Sequence, residues 1–139
     1  MLPEMSADPA LVATLQATLA RRGDVRLAVL FGSQARGRAR PDSDLDVAVL
    51  AEPGLDLLQL GLDLEDAVGR EVQVVDLERA DHVLLGAILR DGQIVYQQRA
   101  GLGGTWLARA ITAWELDHPG FERMREALFQ QLARRASGG

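Results

Sequence analysis

The sequence predicts an α/β domain, a small mixed β-sheet flanked by helices with a C-terminal helical tail, and three observations predict it. Uninterrupted apolar runs of strand length alternate with segments whose apolar residues recur every three or four positions, in the order α-β-β-α-β-α-β. The length, 139 residues at 47% hydrophobic and 25% charged, is that of an ordinary globular domain able to build a core without staples. A change of character at Gly101-Leu102-Gly103-Gly104 sets off residues 101–139 as a helical extension, packed on the domain of residues 1–100 or on a partner.

The elements follow in order. Asp8-Pro9 supplies an N-cap and a first-turn proline, and Leu11, Leu15 and Leu19 give one apolar helical face that Gly23 closes. Val25 to Phe31 reads as a buried strand because Leu27-Ala28-Val29-Leu30-Phe31 has no polar interruption. Gly32 to Ser43 is a loop rich in Gly and Arg. Leu45 to Leu50 is a second strand, interrupted only at Asp46. After the Pro53-Gly54 turn, Leu57, Gly61, Leu64 and Val68 share a helix face. Val72 to Leu77 is a third strand, Val83 to Leu89 a short helix stopped by Asp91-Gly92, and Gln93 to Tyr96 a short strand. In the tail, Thr105 is placed to cap a helix bearing Leu107, Ile111 and Trp114. Asp117-His118-Pro119-Gly120 breaks it, and Phe121, Met124, Leu128 and Leu132 mark a second amphipathic helix.

Composition excludes several chemistries. With no Cys there is no disulfide, thiolate nucleophile or cysteine-ligated metal. All 15 basic residues are Arg, which removes Schiff-base and P-loop lysines. His82 and His118 are the only histidines, too few for a three-histidine zinc site, and both read as structural. A net charge of -5 and 4% aromatic residues argue against direct nucleic-acid binding. No window approaches the 18 apolar residues of a membrane span, and Met1 to Asp8 lacks a basic leader, so a cytoplasmic location is expected. What remains is chemistry by carboxylates, Arg, backbone amides and a hard metal ion.

Those groups converge on Phe31-Gly32-Ser33-Gln34-Ala35-Arg36-Gly37 and Asp42-Ser43-Asp44-Leu45-Asp46. Asp44 and Asp46 are two apart at the start of a strand, so they share a face, with attachment points about 6.6 Å apart. Such a pair repels itself, raises one pKa, and suits a divalent cation. Gly32-Ser33 follows a buried strand where a helix is expected to begin, and amides there cradle phosphate oxygens, with Arg36 one turn on. Asp76, at the end of the third apolar run, is expected to complete a three-carboxylate site suited to metal-assisted phosphoryl or nucleotidyl transfer and to activate an acceptor hydroxyl.

Gly32-Ser33, Arg36-Gly37 and Ser43-Asp44-Leu45-Asp46 with a distal strand Asp resemble the motif of the polymerase β-type nucleotidyltransferases, and the short length is similar to their minimal, MNT, group. The resemblance runs over Val25 to Tyr96. It implies that fold, with Gly32, Ser33, Arg36 and Ser43 toward the nucleotide, and with Asp44, Asp46 and Asp76 as catalytic and Mg²⁺-binding (or Mn²⁺-binding) acids. It also implies transfer of AMP from ATP to a hydroxyl. In the minimal group the acceptor is often a tyrosine of a paired HEPN ribonuclease toxin, for which the enzyme is the antitoxin. Two other functions fit the same residues: a transferase acting on a small molecule such as an aminoglycoside, and a non-catalytic antitoxin that neutralises its partner by binding. Trp106 and Trp114 are expected to pack the tail onto the domain.

Overall fold

The computed structural model describes residues 8–32, 44–117 and 130. Helix α1 (Pro9–Arg22) leads into β1 (Val25–Phe31); β2 (Leu45–Ala51) and α2 (Leu57–Val68) follow, then β3 (Val72–Asp76), a 3₁₀ turn (Leu77–Arg79), α3 (His82–Asp91), β4 (Gln93–Gln97) and α4 (Leu102–Asp117). The four strands form one sheet in the order β3-β2-β1-β4. β1 runs antiparallel to both β2 and β4, while β2 and β3 are parallel. The expected mixed sheet is therefore observed.

Helices cover both faces, which is why the strands read as continuous apolar runs. Leu27, Val29 and Phe31 of β1 join Ala48, Leu77 and Ile88 on one side, with Leu102 and Trp106 of α4 packed against them. Ala28 and Leu30 face the other way, onto Leu11, Leu15 and Leu19 of α1 and Leu60 and Leu64 of α2. Burial of each such Leu stabilises the fold by roughly 1.5–3 kcal/mol. Leu89, Leu107, Ala110 and Ile111 form a smaller core between α3 and α4, against which Trp106 and Trp114 rest half-buried. Both tryptophans thus pack α4 onto the sheet domain.

Local capping explains most boundaries. The carboxylates of Asp8, Asp56 and Asp81 accept hydrogen bonds from the N–H groups of Ala10, Gln59 and Leu84 at the starts of α1, α2 and α3. Two expectations need correction. The third strand stops at Asp76 rather than Leu77, because the Asp76 carboxylate accepts from Glu78 N–H at 2.9 Å and turns the chain into the 3₁₀ segment. Thr105 does not cap the tail helix. α4 begins three residues earlier, where Gly103 N–H donates to Gln97 Oε1 of β4 at 2.9 Å, and the Thr105 hydroxyl instead donates back to the Gly101 carbonyl. The expected second tail helix, Phe121 to Leu132, lies outside the described residues.

Two glycines give a test of this packing with opposite signs. A Cβ on Gly86 would meet the Trp114 ring at 2.7 Å, whereas Gly104 has open space around it. Alanine at either position gains helix propensity of about 0.8–1 kcal/mol, but overpacking against a ring costs about 1–3 kcal/mol. Gly104→Ala is expected to raise the thermal midpoint and Gly86→Ala to lower it by a few degrees. Differential scanning calorimetry of the two variants checks both signs; a stabilised Gly86→Ala would show that α4 is not seated on α3 as described.

Candidate functional site

The site is built by strand register. β1 and β2 pair so that Phe31 lies across from Asp46, which brings the end of β1 to the beginning of β2. The chain turns out of β1 at Gly32 with φ +77°, and its backbone lies so close to Asp46 that a Cβ there would fall 2.5 Å from Asp46 Oδ2. Both facts require glycine, because an L side chain pays for positive φ and here would also strike a carboxylate. Asp44 immediately precedes β2. It shares the face of Asp46, while Leu45 between them is fully buried on the opposite side.

The pair is electrostatically strained, as its spacing predicts. Burial, and secondarily the neighbouring charge of Asp44, pushes the Asp46 carboxyl above the ordinary aspartate range. Glu71 stands across from Asp44, with its carbonyl accepting from Leu45 N–H at 2.9 Å. Its carboxyl is raised by the charge of Asp44, then by a side-chain hydrogen bond with Asp44, with smaller contributions from burial and Glu65. Carboxylates crowded at the end of an interior strand of an apolar sheet, with no guanidinium against them among the described residues, fit a divalent cation. Asp44 and Asp46 are the residues that would hold it.

Asp76 is not brought to this pair. The parallel register sets Gln73, not Asp76, across from Asp46; Asp76 lies three residues further along, across from Val49. Residue parity also turns it away. Val47 and Val74 pack on the α1–α2 side and Ala48 and Val75 on the α3 side, so Asp46 and Gln73 share one face and Asp76 takes the other. Its carboxylate is engaged in capping Glu78 N–H and sits beside Arg79 Nε at 4.0 Å. The physical reason for the correction is that a parallel neighbour's register is set by packing between strands, which spacing along the chain does not encode. Among the described residues, no group of three or more acids or histidines is arranged to hold a metal.

Ser33, Arg36 and Ser43 lie outside the described residues. Gly32, Asp44 and Asp46 are therefore the sequence-predicted site residues that the structure brings together. Gln73 and Glu71 were missed. The alternation Val72-Gln73-Val74 already set Gln73 on the opposite face from its valine neighbours, but placing it beside Asp46 needs the register. His82, at the start of α3, packs edge-on against Trp114 with ring centroids 6.2 Å apart, away from the acids.

The chain resembles known proteins in sequence and in fold. The family model described as Polymerase beta, Nucleotidyltransferase matches residues 13–100. A curated relative from Shewanella oneidensis, Protein adenylyltransferase MntA, is 36% identical over 72 residues, 50% of this chain and 52% of its own length. The chain thus matches about half the length of that relative. Among solved structures, a toxin–antitoxin crystallised with AMP-PNP superposes with a TM-score of 0.65 at 24% identity, covering 84% of this chain and 97% of that one. An MNT antitoxin in complex with a tri-AMPylated Shewanella oneidensis HEPN toxin gives a TM-score of 0.61 at 22% identity, covering 86% of this chain and 96% of that one. These structural likenesses show the fold.

Two outcomes follow from the strained pair. A carboxyl with a raised folded-state pKa binds its proton more tightly when folded, so stability falls as pH rises from the ordinary aspartate range through that raised value. Asp46→Asn should therefore stabilise the metal-free protein at pH 7, raising its thermal midpoint, and the gain should vanish as pH falls to the ordinary aspartate range. Thermal melts across pH check this; a pH-independent difference would remove the electrostatic account. Gly32→Ala should weaken Mn²⁺ binding about tenfold or more, the usual loss when a group supporting a ligand is disturbed, as read by calorimetry on a variant with native circular dichroism.

Proposed function

The chain belongs to the polymerase β nucleotidyltransferase family, and from that membership we propose that it transfers AMP from ATP, with Mg²⁺, to a tyrosine hydroxyl of a cognate HEPN ribonuclease toxin, acting as its antitoxin in the cytoplasm. The observation that carries the reading is the approach of the Gly32 backbone to the Asp46 carboxylate, with Asp44 on the same face. The backbone at the end of a buried strand is thereby set directly beside a carboxylate pair. The acceptor is supported by the name of the Shewanella relative and by the AMPylated toxin in the matching complex. Among the described residues no helix is long and apolar enough to cross a membrane.

In this reaction the acceptor oxygen forms a bond to the α-phosphorus of ATP as the bond to the bridging oxygen of the β-phosphate breaks, releasing pyrophosphate, and the hydroxyl proton leaves. Gly32 leaves the backbone open to the triphosphate, and Ser33, Arg36 and Ser43 are assigned to its oxygens. Asp44 and Asp46 would hold a divalent ion, whose contribution is to polarise phosphate oxygens and neutralise charge as it develops. The rigidity of the β1–β2 pairing keeps both carboxylates oriented on one face, so little reorganisation is needed at the moment of reaction.

The test is co-expression with the product of the neighbouring reading frame, followed by intact-mass measurement of that partner. Wild type should add AMP to a tyrosine, and Asp44→Asn should reduce transfer by about 10²-fold or more, on the scale of losing a charge-stabilising group. Modification of an aminoglycoside in place of the partner would move the assignment to small-molecule transfer. Neutralisation of the partner by Asp44→Asn as complete as by wild type, with no AMP added by either, would make this a binding antitoxin.

A further inference from the structure

Gln73 is the side chain that the register places next to the acid pair, and nothing above gives it a role. It pairs with Asp46 across the parallel β2–β3 ladder and shares the face of Asp46. It is exposed, so its amide is open to whatever the pair holds. An amide oxygen is a neutral, weak ligand beside a carboxylate, and it cannot take a proton at neutral pH. A two-ion site needs carboxylates enough to offset both charges at about 3.5–4 Å separation. Here Asp44 and Asp46 supply two. Asp76 is on the opposite face with its carboxylate committed to Glu78 N–H and beside Arg79, and Glu71 stands across from Asp44, two residues before Gln73. No third acid or histidine completes the set among the described residues.

We infer that Asp44 and Asp46 hold a single divalent ion together with the nucleotide, and that Gln73 fills, as a neutral amide, the place from which a third carboxylate would recruit a second ion. Gln73 is then a positioning residue: its amide hydrogen-bonds the incoming acceptor oxygen without removing its proton. This rests on the transferase reading above and specifies its metal content.

The experiment counts ions rather than turnover. Mn²⁺ is titrated into the protein with one equivalent of AMP-PNP, and free Mn²⁺ is read by electron paramagnetic resonance. Wild type should bind one Mn²⁺ per complex, and Gln73→Asp should bind two, with the first affinity within about threefold of wild type. Gln73→Glu is the second variant should the aspartate perturb β3, and it should also bind two. In AMP transfer, Gln73→Ala should raise the KM for the acceptor with little change in kcat, a split that a merely structural role would not give. Two ions in wild type overturn the inference, and a fall to one in Glu71→Gln would name Glu71 as the third ligand. One ion in both Gln73→Asp and Gln73→Glu overturns it as well. Failure of wild type and both Gln73 variants to bind any Mn²⁺–AMP-PNP would overturn the transferase reading itself, which separates the two failures.

Discussion

The site depends on one constraint, the antiparallel register of β1 and β2 that sets Phe31 across from Asp46. Everything chemical follows from where that pairing ends. β1 and β2 are buried on both faces, with Leu27, Ala28 and Leu30 fully excluded from solvent against Val47, Ala48 and Val49. A slip of one residue would turn every one of those side chains to the wrong face, so the register is held by the whole core and not by the site. The core thereby holds Gly32 against a carboxylate that repels its own neighbour. A strained arrangement of this kind persists only where the surrounding structure over-determines it.

The same constraint explains what the sequence revealed and what it hid. Asp8, Pro9 and Gly23 bound α1 as their local chemistry demands, and the apolar run Val25 to Phe31 is β1 end to end. Gly32, Asp44 and Asp46 were legible because one short loop and one strand join them, so spacing along the chain is nearly spacing in the site. Asp76 was misplaced because β3 reaches β2 through α2, and a crossover of that length leaves the relative slide of the two strands undetermined by sequence. Its acidic character has a local cause, the cap of the 3₁₀ turn, that resembles a functional one when read as a string. The start of α4 was hidden likewise. Its first free N–H groups are met in part by Gln97, a residue of the preceding strand, and not by a cap within the helix sequence.

The choice of an amide at position 73 has a consequence for stability as well as for chemistry. Asp44, Asp46 and Glu71 already crowd one face at one end of the sheet; burial, and then the charge of Asp44, raises the carboxyl of Asp46, and the charge of Asp44 raises that of Glu71. A further carboxylate across from Asp46 would add like-charge repulsion to a partly buried group whose carboxyl is already raised. Gln73 keeps a hydrogen-bonding head at that point without the charge. A site of this composition gives up part of its capacity for cations in exchange for a less strained metal-free state, the usual direction of compromise between active-site chemistry and folding stability. In a chain that already carries a net charge of -5, the position nearest the acid pair is where removing one negative charge relieves most.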